Sequence, residues 1–123
     1  MEGLGMALSL DLEQEPEYWR LSLAGDLDYG ECSQFRMSID RILKSEPLSA
    51  VVDLSGLEYL DSSGLGLLLS MSKEYAVVGG RLVLVTNETV DNILSLTRLN
   101  GIFATASTMA EAVQVLGHQT PTN

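Results

Sequence analysis

Residues 51–67 run Val51-Val52-Asp53-Leu54-Ser55-Gly56-Leu57-Glu58-Tyr59-Leu60-Asp61-Ser62-Ser63-Gly64-Leu65-Gly66-Leu67, a β-branched strand leading through a short loop into a helix that opens on a serine pair. A buried strand feeding a helix, with a second apolar run at Arg81–Val85, calls for a crossover between parallel neighbours in a sheet. The same stretch sets a hydroxyl at a helix N-terminus. The unpaired N–H groups of a first helical turn and the helix dipole both tolerate an added anion, so a serine there accepts phosphate without unfolding the chain. That geometry suits a switch rather than a catalyst.

The other elements follow from period and punctuation. Met6–Leu12 and Tyr18–Leu23 alternate apolar with polar residues around the charged turn Glu13-Gln14-Glu15-Pro16-Glu17, which reads as an antiparallel hairpin. Glu31–Lys44 carries Cys32, Phe35, Ile39, Ile42 and Leu43 at helical spacing before Pro47. Ala50–Leu54 and Arg81–Val85 read as buried strands, and between them a helix spans Ser63–Val77 and ends at Gly79-Gly80. A helix over Glu88–Leu99, a short strand over Ile102–Ala106 and a last helix packing Met109, Ala112, Val113 and Leu116 complete the order. The predicted fold is α/β, a mixed sheet of about five strands with about four helices, beginning with an antiparallel hairpin and continuing by parallel crossovers. One domain over residues 1–117 is expected, with residues 118–123 as a flexible tail.

Charge and composition exclude several functions. A 123-residue chain that is 46% hydrophobic builds one core without metal or disulfide staples. Seventeen acidic residues against seven basic ones give a net charge of -10, which disfavours nucleic acid and anionic membrane surfaces. One cysteine, Cys32, forms no internal disulfide, and no signal peptide or membrane span is visible, so the chain reads as cytoplasmic. The single histidine, His118, sits in the expected tail, far from any serine it would have to activate. Leu60 and Asp61 stand where a nucleophile elbow needs glycine, and Leu69 replaces the third glycine of a dinucleotide fingerprint begun by Gly64-Leu65-Gly66. No Walker-type Gly-Lys-Ser/Thr occurs, and one cysteine with one histidine makes a poor zinc site.

The serine pair has a plain reading beside the functional one: Asp61 or Ser62 caps the helix and does nothing more. Gly64 and Gly66 each cost a helix about 1 kcal/mol relative to alanine, so two in the first turns imply close packing on the sheet or a partner that approaches closely. With Leu65, Leu68, Leu69, Ser72 and Ala76 as the buried stripe, Leu67 and Met71 face solvent beside the serine. Asp26 and Asp28 lie just past the second strand, where they cap the first helix or join Asp61 in an acidic rim for a partner's basic residues or its metal-nucleotide. Asp53 is expected near a sheet end, its charge solvated or paired, and is given no chemistry.

With these motifs in place the sequence is similar to the anti-sigma factor antagonists, single STAS domains of bacterial partner-switching systems, over nearly its whole length. Gly25-Asp26-Leu27-Asp28 resembles the family's Gly-Glu/Asp-Leu-Asp segment, and Val52-Asp53-Leu54-Ser55 with Leu60-Asp61-Ser62-Ser63-Gly64-Leu65-Gly66 resembles its phosphorylation loop. Gly79-Gly80-Arg81-Leu82-Val83-Leu84-Val85 and Leu94-Ser95-Leu96-Thr97-Arg98-Leu99 resemble later elements. Arg98 departs from the glycine common in relatives, and Tyr29-Gly30 is a second departure.

The resemblance implies a mixed sheet with helices largely on one face and a non-enzymatic, cytoplasmic phosphoprotein acting in transcription regulation and signal transduction. Unphosphorylated, it holds an anti-sigma factor serine kinase and frees a sigma factor; phosphorylation on Ser62 breaks the complex, and a serine phosphatase reverses it. ATP and magnesium belong to the kinase, so the chain itself needs no cofactor. The implied docking face is the helix from Ser63 together with Asp26–Asp28, which with the exposed pair gives Asp26, Asp28, Asp61, Ser63, Gly64, Leu67 and Met71 as contacts. No lysine or arginine lies between Lys44 and Lys73, so a phosphate finds no cation on that stretch. The alternative is a STAS subunit of another assembly, such as a lipid-transport complex or a different signalling output, in which the serine is structural; such subunits often lack it. A third reading binds a small molecule or nucleotide in the crevice past the strand ends, but no phosphate-cradling loop supports it.

Overall fold

The computed structural model describes residues 7–46 and 49–118. In chain order the elements are β1 (Ser9–Gln14), β2 (Trp19–Leu27), a 3-10 turn (Tyr29–Glu31), α1 (Cys32–Leu43), β3 (Ser49–Leu60), α2 (Ser62–Val77), β4 (Arg81–Val85), α3 (Glu88–Leu96), β5 (Ala104–Ala106) and α4 (Met109–His118). The strands form one sheet in the order β1-β2-β3-β4-β5, antiparallel between β1 and β2 and parallel thereafter. This is the mixed α/β sheet that element order predicts. Met6, Pro47 and residues 119–123 lie outside the described residues, whereas His118 closes α4.

Alternation along the strands divides the core into two layers. Ala50, Val52 and Leu54 of β3 and Leu84 of β4 pack with Phe35, Ile39 and Ile42 of α1, with Leu65, Leu68, Met71 and Tyr75 of α2, and with Val90 and Leu94 of α3. The intervening Val51, Val83 and Val85 pack with Ala112 and Leu116 of α4. Three helices therefore cover one face and α4 the other. Each such fully buried aliphatic or aromatic side chain stabilises by about 1.5–3 kcal/mol, which fixes α2 firmly on the sheet.

β2 and β3 outrun the ends that periodicity predicts at Leu23 and Leu54. They stay paired to the Leu27↔Leu60 rung, through irregular register between Ser22 and Ala24 and between Gly25 and Asp26. Gly25 has φ of 92°, and a Cβ on Gly56 would stand 2.9 Å from the Cβ of Ala24, so the bent ladder depends on both glycines. Asp26 consequently lies inside β2, opposite Tyr59, rather than past its end. Because Leu27 and Leu60 share a rung, Asp28 and Asp61 leave the sheet as neighbours.

α3 ends at Leu96, short of the predicted Leu99. The Leu99 N–H bonds the Leu94 carbonyl at 2.7 Å and the Arg98 N–H bonds that of Ser95 at 3.1 Å, a Schellman turn with Arg98 at φ 62°. α2 ends the same way, with Gly79 at φ 77° and the Gly80 N–H on the Tyr75 carbonyl at 2.8 Å. Arginine thus occupies in α3 the place that glycine takes in α2.

Candidate functional site

The start of α2 is organised by Asp61. Its Oδ1 accepts from the N–H groups of Ser63 at 2.9 Å and Gly64 at 3.2 Å, and its Oδ2 from the N–H of Tyr29 at 3.2 Å. Its own N–H bonds the Leu27 carbonyl at 3.3 Å, and its carbonyl accepts from Leu65 N–H at 3.0 Å. One residue therefore caps α2 and fastens the 3-10 turn before α1 to it. With Asp61 as the cap, Ser62 is left exposed at the first helical position, its hydroxyl outside the cap.

The helix can start this close to the sheet because Gly64 has no side chain. A Cβ there would meet Leu27 Cγ and Leu60 Cδ1 at 2.7 Å each. Gly64 thus serves close packing, the inward of its two expected roles. Gly66 differs, since a Cβ on it would meet nothing within 4 Å, and it lies exposed one turn beyond Ser62. Nothing in the fold asks for a glycine there.

The docking residues named from sequence separate on burial. The Leu27↔Leu60 rung and the Tyr29–Asp61 bond bring Asp28 to the Asp61–Ser62 turn, and Ser63 is half-buried. Leu67 is half-buried and packs against the core. Met71 is fully buried, so the exposure expected of it is wrong. The stripe that faces inward is Gly64, Leu65, Leu68, Met71 and Tyr75, while Ala76 is exposed and Leu69 and Ser72 are only half-buried. Asp28 flanks the 3-10 turn without a side-chain cap bond, and Glu31, at the cap position of α1, makes none either, so Asp28 does not supply the expected cap of the first helix, and Asp26 lies within β2. Asp53 sits within β3, where Oδ1 accepts from the Ser55 N–H at 3.0 Å and hydroxyl at 2.7 Å.

Two exposed aromatics join this surface that the sequence reading did not select. Tyr29 is 81% exposed although its backbone is held by Asp61, and Tyr59 is 50% exposed next to the β3 terminus. Asn87 supports the same region from below: its amide donates to the carbonyls of Leu57 at 2.8 Å and Ser55 at 3.1 Å while its oxygen caps α3 at Val90 N–H. The Cys32 thiol is pushed up from its ordinary value, first by burial and then by the negative charges of Asp61 and Asp28. It therefore stays protonated at neutral pH and is a poor nucleophile.

The electrostatic character is one-sided. Residues 24–35 and 55–68, the segments that build this end, contain Asp26, Asp28, Glu31, Glu58 and Asp61 and no lysine or arginine. Among the described residues no group of three or more His, Cys, Asp or Glu side chains is placed to hold a metal ion, and no helix is long and apolar enough to cross a membrane. What remains is an exposed hydroxyl on an acidic surface bordered by two aromatics.

Comparison with known proteins bears on the fold and the family. The family model described as the STAS domain matches residues 9–112. An anti-sigma F factor antagonist of Lysinibacillus sphaericus is 33% identical over 66 residues, which cover 53% of this chain and 56% of that protein. The chain thus spans little more than half the length of this curated relative. The anti-sigma factor antagonist SpoIIAA in its unphosphorylated form superposes with a TM-score of 0.73 at 26% identity, covering 94% of this chain and 100% of that one. The Bacillus cell fate determinant SpoIIAA in the phosphorylated form gives 0.68 at 27% identity, covering 87% and 98%.

Proposed function

The chain belongs to the STAS domain family, and from that membership we propose that it is an anti-sigma factor antagonist switched by phosphorylation of Ser62. In the unphosphorylated state it binds an anti-sigma factor serine kinase in the cytoplasm and so releases a sigma factor. Phosphorylation ends the complex, and a serine phosphatase restores the binding form. The chain acts as a binding module, and the nucleotide and its metal reside on the kinase.

The observation that carries this reading is the division of labour at the α2 N-terminus: Asp61 makes the cap, leaving the Ser62 hydroxyl exposed for transfer. A phosphate there adds about -1.5 to -2 charges at a helix start, which the dipole accommodates, yet Asp61 and Asp28 stand beside it. The added charge is then felt by the docked kinase rather than by the fold. SpoIIAA, similar in fold and 27% identical, exists in a phosphorylated form, which supports the same chemistry here. The test is incubation with the cognate kinase and ATP followed by peptide mass mapping. Phosphate on Ser62, lost in Ser62→Ala, is the expected result; phosphate on Ser63 alone, or undiminished labelling of Ser62→Ala, overturns the assignment.

A further inference from the structure

At the end of the sheet opposite Ser62, where β2, β3 and β4 begin, the hairpin turn and α4 flank an open cleft of about 360 Å³. Arg81 lines it together with Glu15 and Glu17, yet Arg81 forms no ion pair among the described residues. The hairpin's own cation, Arg20, is bonded to Glu13 and reaches Glu15 only through space. Opposite charges thus share one cleft without bonding each other. Tyr18, Val113 and Leu116 supply its apolar wall.

These charges restrict the occupant. A simple anion would be repelled by the two carboxylates and a simple cation would leave the guanidinium without a partner, whereas a molecule carrying both charges satisfies each side. The volume lies at the lower end of the range for small-molecule sites, about 300–1,000 Å³. We propose that this cleft binds a small zwitterion of the amino-acid class, its carboxylate on Arg81, its ammonium by Glu15 and Glu17, and its aliphatic side chain against Tyr18, Val113 and Leu116. Ser49 and Leu60 stand at opposite ends of the 12-residue β3, a separation of about 35 Å. A ligand in the cleft therefore leaves the Ser62 surface open.

The test is an NMR titration of the isotope-labelled full chain with leucine and then the other common amino acids, compared with isovalerate and isoamylamine, which each carry one of leucine's two charges. Saturable amide shifts at Tyr18, Ser49, Arg81 and Val113 are expected with an aliphatic amino acid, and each single-charge analogue should bind about tenfold more weakly or worse. Arg81→Gln and Glu17→Gln should each weaken the amino acid by about tenfold without changing the melting temperature. Absence of saturable shifts with every amino acid, equal binding by isovalerate or isoamylamine, or unchanged binding by Glu17→Gln overturns the proposal. Should Arg81→Gln fail to fold, Glu17→Gln, on the exposed turn, decides alone.

Discussion

The Asp61 carboxylate accepts a hydrogen bond from the backbone of Tyr29 at 3.2 Å, across 32 positions of sequence, while capping the helix that begins beside it. Asp61→Ala removes the cap and the tether together. A lost N-cap typically costs about 0.5–2 kcal/mol, so a melting temperature lower by roughly 2–8 °C is expected from calorimetry. Asp61→Asn, which keeps an acceptor oxygen, should recover most of that loss.

The two glycines of α2 should respond oppositely. Gly64→Ala places a methyl within 2.7 Å of Leu27 and Leu60, and forcing it into that packed corner should destabilise by about 1–3 kcal/mol in urea unfolding. Gly66→Ala meets open space and should stabilise by up to about 1 kcal/mol. If Gly66→Ala also weakens kinase binding, the proposed partner lies against that turn of α2.

Arg98 predicts a stabilising change. Its φ of 62° is one that side chains with a Cβ rarely adopt, at a strain of roughly 1–2 kcal/mol. Arg98→Gly should raise stability by about 1 kcal/mol, whereas Gly79→Ala, in the equivalent turn of α2, should lower it by a similar amount. Chemical denaturation of both variants measures the pair.

These positions also mark what the sequence discloses. The antiparallel pairing of the first two strands and the bounds of β4 are local patterns that spacing and residue type announce, although β1 runs on to Gln14, into the predicted turn, and of the two candidate caps, Asp61 and Ser62, the structure selects Asp61. The face of α2 was not legible because Leu65-Gly66-Leu67-Leu68-Leu69 is apolar on every side. A stripe through Leu69, Ser72 and Ala76 fits the helical period nearly as well as the one through Leu68, Met71 and Tyr75, and only α1 and the sheet decide between them. The second half of β3 carries no local strand signal because Gly56, Glu58 and Tyr59 break the alternation, and it is strand through pairing with a bulged β2. The exposure of Tyr29 depends on its long-range bond to Asp61, which no local pattern announces.

Replacing Ser62 by aspartate should separate the switch from the fold. A carboxylate in the first helical turn gains about 0.3–1 kcal/mol from the dipole, partly offset by Asp61, so the melting temperature should stay within about 4 °C of wild type. Kinase binding should weaken in Ser62→Asp and persist in Ser62→Ala. A large drop in melting temperature for Ser62→Asp would attribute lost binding to unfolding.

The burial of Met71 moves the expected anchor of the docking surface to Tyr29. Met71 is fully buried in the core, and Met71→Ala should cost about 2–5 kcal/mol of stability through the cavity it leaves. Any binding defect would then follow from damage to α2. Tyr29 is 81% exposed on a backbone pinned by Asp61, so Tyr29→Ala should leave the melting temperature unchanged. Exposed aromatics on rigid supports are common binding anchors, and removing one typically costs 2 kcal/mol or more, chiefly as faster dissociation. Asp28→Asn, which removes rim charge, should instead slow association, most at low ionic strength where charges act over longer distances. Surface-binding kinetics with the purified kinase at two salt concentrations distinguishes the three variants. Unchanged off-rate in Tyr29→Ala together with unchanged on-rate in Asp28→Asn would place the docking surface elsewhere, even if Ser62 remains the phosphorylated residue.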